Sequence, residues 1–316
     1  GYAATNEINF LFVALLRAAG FDAALAQLAS RNHSILDPNV PDATQLNSTV
    51  VIVRVGDKDL FLDPATRFCP FGLLPWEETG VHGLHVGKWW LNFPRIPGRG
   101  SETAITRRTA TVSVLPDGAL EGVVKVTYSG QEALSRRLDL YDEDEGGRRK
   151  ALEEEIKHWL PATASVEVKH AGPWDSSEDE LQVESSFTVP DFAAISGRRV
   201  LFPLALFQSN ETNPLKSDKR EYPIYFDYAY QTQDDIQWNF PEGFQPEALP
   251  KPYTYQNNFF RYQSRVTPEG KFTRSTQMEG FIFERGMYTL IKRCYEQMIT
   301  DDHSSTIVLQ RTNAKP

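Results

Sequence analysis

The chain has 316 residues, of which 41 % are hydrophobic, 12 % aromatic and 24 % charged, ordinary globular usage with enough large side chains for a substantial core. A single core rarely grows beyond about 250–300 residues, so two domains are expected. The formal net charge of -9 argues against binding to nucleic-acid backbones or anionic lipid, both of which need clustered Lys and Arg.

The first element is a helix. Ile8, Leu11, Phe12, Leu15 and Ala19 recur at helical spacing, Gly20 is a stop signal, and Thr5 or Asn6 is placed to cap the start. Almost every side of this helix is apolar, which predicts burial. Its run Phe10–Leu16 is far short of the roughly 20 residues that cross a bilayer, so no transmembrane segment is expected. A strand over 21–29 and a Pro/Asn/Asp-rich loop over 37–42 lead to Thr49–Val55, β-branched enough for a buried strand. Gly56-Asp57-Lys58 turns the chain into a second strand over 59–62, which ends at Asp63-Pro64. From 65 to 100 the chain is irregular, and its aromatics Phe68, Phe71, Trp76, Trp89 and Trp90 are expected to pack it onto a neighbour.

A domain boundary is placed at 98/99. Beyond it the texture is β-rich: a hairpin over 109–115 and 120–128, then runs at 165–170, 181–189, 200–207, 222–230, 236–240, 259–266 and 272–283. Such recurrence suggests a β-sandwich-like domain. Two helices interrupt it, one over 131–160 with a break near Gly146-Gly147 and one over 285–299. The fold class is therefore α+β.

Two segments carry a family resemblance. Val13-Ala14-Leu15-Leu16-Arg17-Ala18-Ala19-Gly20, and the stretch Leu46-Asn47 through Leu62-Asp63-Pro64, resemble in order the second half of a transglutaminase-like (papain-type) core. The resemblance implies a thiol at a helix N-terminus, where the dipole favours thiolate, paired with a strand His that an Asp orients. Laid on that pattern, Thr5 stands where the Cys belongs, Ser48 where the His belongs, and Asp63 on the Asp. A Thr hydroxyl is scarcely ionised at neutral pH, and Ser48 cannot take and return a proton as imidazole does. The triad is degenerate, and the expected function is that of a non-catalytic relative, a pseudoenzyme binding a peptide, glycan or protein partner. The alternative is a hydrolase or acyltransferase with an atypical nucleophile, Thr5 or Cys69.

In the remaining chain, Asp63-Pro-Ala-Thr-Arg-Phe-Cys-Pro-Phe-Gly-Leu-Leu-Pro-Trp76 and Tyr222-Pro-Ile-Tyr-Phe-Asp-Tyr228 look like bacterial members of this group that carry β-rich domains of unknown function. Their resemblance implies a periplasmic or extracellular setting. It also implies that a preceding half-core, in cis or as a separate chain, covers the first helix and is its partner.

Cys69 and Cys294 are too few for a disulfide framework or a Cys-based zinc site, and Cys294 lies on the apolar stripe of the last helix. His82 and His85 have i, i+3 spacing without further ligands beside them, so neither a metal nor another cofactor is expected. The sequons at Asn32, Asn47 and Asn210 arise readily by chance.

Overall fold

The computed structural model describes residues 5–33, 36–37, 39–40, 42–86, 91–92 and 94–312. It is a mixed α+β chain, mostly strands, with four α-helices among the described residues. The expected packing of Trp89 and Trp90, and capping by the side chains of Thr5 or Asn6, lie outside the described residues.

Helix α1 (Thr5–Ala18) precedes β1 (Asp22–Leu28), β2 (Ser48–Val55), β3 (Lys58–Leu62), β4 (Gly83–Val86) and β5 (Leu91–Asn92). These form an antiparallel sheet in the order β3-β2-β1-β4-β5. β2 is an apolar run because both its faces are covered: Val50 and Ile52 pack with Ala26, Leu28, Leu74 and Ile96, while Val51 and Val53 pack with Val13 of α1, Ala23 and Leu62. Successive strand side chains point to opposite faces, so neither parity can be polar.

The first helix departs from expectation. Asn9 and Val13, one turn apart, are its buried positions, whereas Phe10, Leu11 and Leu15 are each about 60 % exposed (59 %, 61 % and 59 %). One helix face meets the sheet, and the opposite apolar face is open in this chain.

After this sheet come β6 (Ala104–Val114) and β7 (Leu120–Gly130), then α2 (Gln131–Asp139), α3 (Glu145–Trp159), β8 (Ser165–Gly172), β9 (Leu181–Val189), β10 (Ala194–Ser196), β11 (Arg199–Pro203) and β12 (Ile224–Tyr225). The chain continues through β13 (Tyr230–Asn239), β14 (Phe244–Ala248), β15 (Tyr253–Gln256), β16 (Phe260–Val266), β17 (Lys271–Met278), β18 (Ile282–Phe283), α4 (Tyr288–Ser304) and β19 (Thr306–Arg311). An eight-stranded sheet runs β15-β16-β17-β13-β6-β7-β9-β8, with β6 and β13 paired in parallel. A four-stranded sheet runs β10-β11-β19-β14. One apolar cluster joins Val112, Val126, Val183 and Trp238 of the larger sheet to Phe202 and Leu309 of the smaller one, with Leu152 and Ile156 of α3.

Several elements correct the sequence expectations. The helical break falls at 140–144, not at the glycines: Asp144 caps α3, its Oδ1 accepting from Gly147 N at 2.7 Å, and both glycines lie in the first turn. The stretch 222–230 keeps only a short strand, β12, before β13 begins at Tyr230. Pro223 has no N–H to donate, and the carbonyls of Phe226 and Asp227 accept from the Arg31 guanidinium instead of a neighbouring strand. The run 200–207 ends at Pro203 and becomes a 3₁₀ turn over Leu206–Gln208. Strands β4 and β5, in a stretch expected to be irregular, and β10, β14, β15 and β19 were not anticipated; β14 carries Pro246 and a register shift, and β15 is an edge strand.

The β-rich part encloses ion pairs. Arg274 Nε and Nη2 donate to the two oxygens of Asp302 on α4, each at 2.7 Å, and Arg108 grips Asp234 at 2.6 and 3.1 Å. All four side chains are at most 5 % exposed. Leaving one such charge without its partner costs about 3–5 kcal/mol. Asp302→Ala leaves Arg274 only its longer contacts to Glu211 at 3.6 Å and Asp234 at 3.8 Å, and is therefore expected to lower the stability read from urea unfolding by up to about 3–5 kcal/mol, with a lower midpoint. Arg199→Ala, which breaks an exposed pair with Glu247, should leave the midpoint nearly unchanged.

Candidate functional site

Of the three positions of the expected triad, Ser48 and Asp63 lie at the same end of the five-stranded sheet, where antiparallel β2 begins and β3 ends. Thr5 begins α1, Ser48 begins β2, and Asp63 immediately follows β3. The link between them is Asn9, one turn along α1 from Thr5. Its Nδ2 donates to Thr49 O at 2.7 Å and to Asp63 Oδ1 at 3.1 Å, while Ala65 N donates to the same Asp63 oxygen at 3.2 Å. Asp63 is buried, at 4 % exposure, and is held as an acceptor on a rigid corner. In this arrangement it orients helix and strand.

The side chain bonded to Ser48 is one the sequence reading missed. Ser48 Oγ donates to Glu78 Oε1, and Glu78 is 6 % exposed at the end of the 3₁₀ turn Trp76–Glu78. Burial, and then the nearby charge of Asp63, push the Glu78 carboxyl up to about 8, against a smaller lowering by the Ser48 hydrogen bond. Glu78 Oε2 and Asn9 Oδ1 have no hydrogen-bond partner among the described residues. The signal for Glu78 in the sequence was small: two adjacent acids, Glu77 and Glu78, in a stretch read as irregular.

Cys69 is close enough to feel the same charges, but its thiol is poorly placed to ionise. Burial raises its pKa most, and Asp63, Glu78 and Glu178 raise it further. Its Sγ donates to Leu73 O at 3.2 Å. The preceding Phe68 has φ +60° and packs on Tyr141 at 5.9 Å between ring centroids, so the segment is fixed against the end of α2. Cys294 is fully buried in the apolar cluster under α4. His82 is exposed, and no cluster of three His, Cys, Asp or Glu residues suited to a metal occurs among the described residues.

Among the cavities of this region and the β-rich part are two lined by several charged side chains. One of about 300 Å³ is lined by Arg108, Arg274, Glu211 and Trp159; its arginines are occupied by Asp234 and Asp302, which makes it a paired polar interior. The other, about 480 Å³, lies between the Trp76–Glu78 turn and α2.

Compared with known proteins, residues 198–309 match a family described as a domain of unknown function with a solved structure (DUF3858). Among solved structures, a protein of Parabacteroides distasonis described as a putative protease is similar at 12 % identity with a TM-score of 0.48. The match covers 98 % of this chain and 44 % of that one, so this chain spans less than half the length of that relative. A search of curated proteins finds no match.

The raised Glu78 carboxyl has a consequence for stability. Between its ordinary value of 4.5 and about 8, the folded state holds a proton that the unfolded state has released, so folding weakens as pH rises through that window. Glu78→Gln is expected to flatten the pH dependence of unfolding stability between those values. It should also be the more stable form at pH 8, by on the order of a few kcal/mol. Denaturant titrations at several pH values give the slopes; equal slopes in the two proteins would contradict this placement of Glu78.

Proposed function

We propose that the chain is a degenerate transglutaminase-like unit that performs no acyl transfer or hydrolysis at the Thr5–Ser48–Asp63 corner and binds an extended peptide segment of a partner. The observation that carries this reading is the Ser48–Glu78 pair. Where the family resemblance calls for an imidazole, a hydroxyl meets a carboxyl whose pKa lies near 8. At neutral pH most of that carboxyl is protonated, so it is not available to accept a proton from Ser48.

The other candidate nucleophile is no better served, since the Cys69 thiol is held in the un-ionised form by burial above all, with Asp63 and Glu178 adding to it. Binding, by contrast, needs only a shaped and lined cleft, and the cavity beside the Trp76–Glu78 turn is of a size that takes small ligands or side chains. The open row Phe10, Leu11 and Leu15 on α1 belongs to the same reading, as the face that meets the other half of a transglutaminase-like core, supplied in cis or as a separate chain.

The test is a thiol-directed alkylating probe together with an assay for amine incorporation into, or hydrolysis of, a glutamine-containing peptide. Native protein should label no faster than the Cys69→Ala variant, and turnover should stay at the buffer background. Saturable labelling lost in Cys69→Ala, or turnover lost on substituting Thr5, Ser48 or Cys69, would establish the hydrolase or acyltransferase reading instead.

A further inference from the structure

The 3₁₀ turn Trp76–Glu78 has two acidic sides. Glu78 points to Ser48 and Asp63; its neighbour Glu77 lines the 480 Å³ cleft against α2, together with Glu132, Asp139, Glu155 and Asp227. The charges there are unevenly compensated. Arg136 pairs with Glu132 at 2.6 Å and with Glu155 at 2.5 Å, which leaves Glu77, Asp139 and Asp227 with no ion pair within 4 Å among the described residues.

The nearest further cation, Arg31, is already engaged. Its guanidinium donates to the carbonyls of Trp76, Phe226 and Asp227 and lies between the rings of Trp76 and Phe281, 5.0 and 4.8 Å from their centroids. Its charge moderates the rim without neutralising it: Glu77 remains raised, by burial first, with Asp227 and, less, Asp139 adding to that against a lowering backbone hydrogen bond and the charge of Arg31.

A second observation is independent of the carboxylates. Gln131, the first residue of α2, lines the cleft and is 3 % exposed. Its Nε2 donates to Leu74 O, while its Oε1 has no partner among the described residues. A buried carbonyl oxygen without a donor is costly unless a donor is supplied. Trp76 and Tyr228 complete the walls with aromatic surface, which favours a cation over an anion.

We infer that this cleft is a binding site for a cationic group, a primary ammonium or guanidinium carried on an extended chain, with Glu77, Asp139 and Asp227 as its counter-charges and Gln131 Oε1 as an acceptor. The inference deepens the peptide-binding reading and rests on it: the segment bound is one that presents Lys or Arg. A ligand of this charge also suits a chain of net charge -9, whose long-range field draws cations toward it.

Calorimetric titration of the full chain tests it with four probes: a lysine-centred hexapeptide, its arginine and norleucine counterparts, and spermidine. The Lys or Arg peptide should bind, the norleucine peptide should bind at least about tenfold more weakly, and raising salt from about 50 to 300 mM should weaken the cationic peptides. Asp227→Asn and Asp139→Asn, at exposed positions where folding should be unaffected, are each expected to weaken binding on the order of fivefold.

Spermidine binding more tightly than either peptide would assign the site to a free polyamine with the same chemistry. Norleucine and lysine peptides binding alike, with no effect of either Asn variant, would overturn the cationic site while leaving peptide binding in place. No binding of any probe would overturn both.

Discussion

The site is organised by the burial of one carboxyl. Glu78 is drawn out of water by the 3₁₀ turn that carries it, with Pro75 before it and Trp76 at its start, and once inside it must share space with Asp63. Two carboxylates close together in a low dielectric cannot both ionise cheaply. Asp63 accepts from Asn9 and Ala65, while Glu78 is raised by burial first and then by the charge of Asp63. That division fixes what Ser48 can do, because a hydroxyl beside a mainly protonated carboxyl is a structural hydrogen bond before it is a nucleophile.

The scaffold around this pair explains why it is held so firmly. β2 is covered on both faces, by α1 on one side and by Leu74 and Ile96 on the other, so its first residue, Ser48, cannot slide without moving two apolar clusters. Asn9 ties α1 to the same corner through a backbone carbonyl and a carboxylate. The buried position of the helix at this corner is an amide, Asn9. The opposite face of α1 takes no part in this work, and its large side chains Phe10, Leu11 and Leu15 are exposed.

Local signals in the sequence were sufficient for much of this. The hairpin of β2 and β3, the strands β6, β7 and β9, and the helices α3 and α4 follow from periodicity and turn residues that agree with their tertiary surroundings. Where reading failed, a long-range partner decided the outcome. The carbonyls of Phe226 and Asp227 left the strand pattern because Arg31, some 195 residues earlier, takes them. α1 read as buried all round because composition cannot say which apolar face has a neighbour. Glu78 was invisible for the same reason: an acid in an irregular segment looks solvated until the fold folds it under Ser48 and Asp63, and no periodicity encodes that contact.

A single turn of 3₁₀ helix thus gives two adjacent acids opposite fates. Side chains one residue apart on such a turn are about 120° apart around its axis, so when Glu78 is directed into the sheet, Glu77 is directed away from it, toward α2. Burial makes the first neutral and silent. The second meets Asp139 and Asp227 across a cleft whose lining arginine is already paired; burial raises it first, and those charges add to the rise against the partial compensation that Arg31 gives. The same physical cost that argues against proton abstraction on one side therefore argues for attraction of a cation on the other. A donor entering there lowers the repulsion among three carboxylates and satisfies Gln131 Oε1, so the cleft has a reason to bind that is independent of any lost catalytic ancestry.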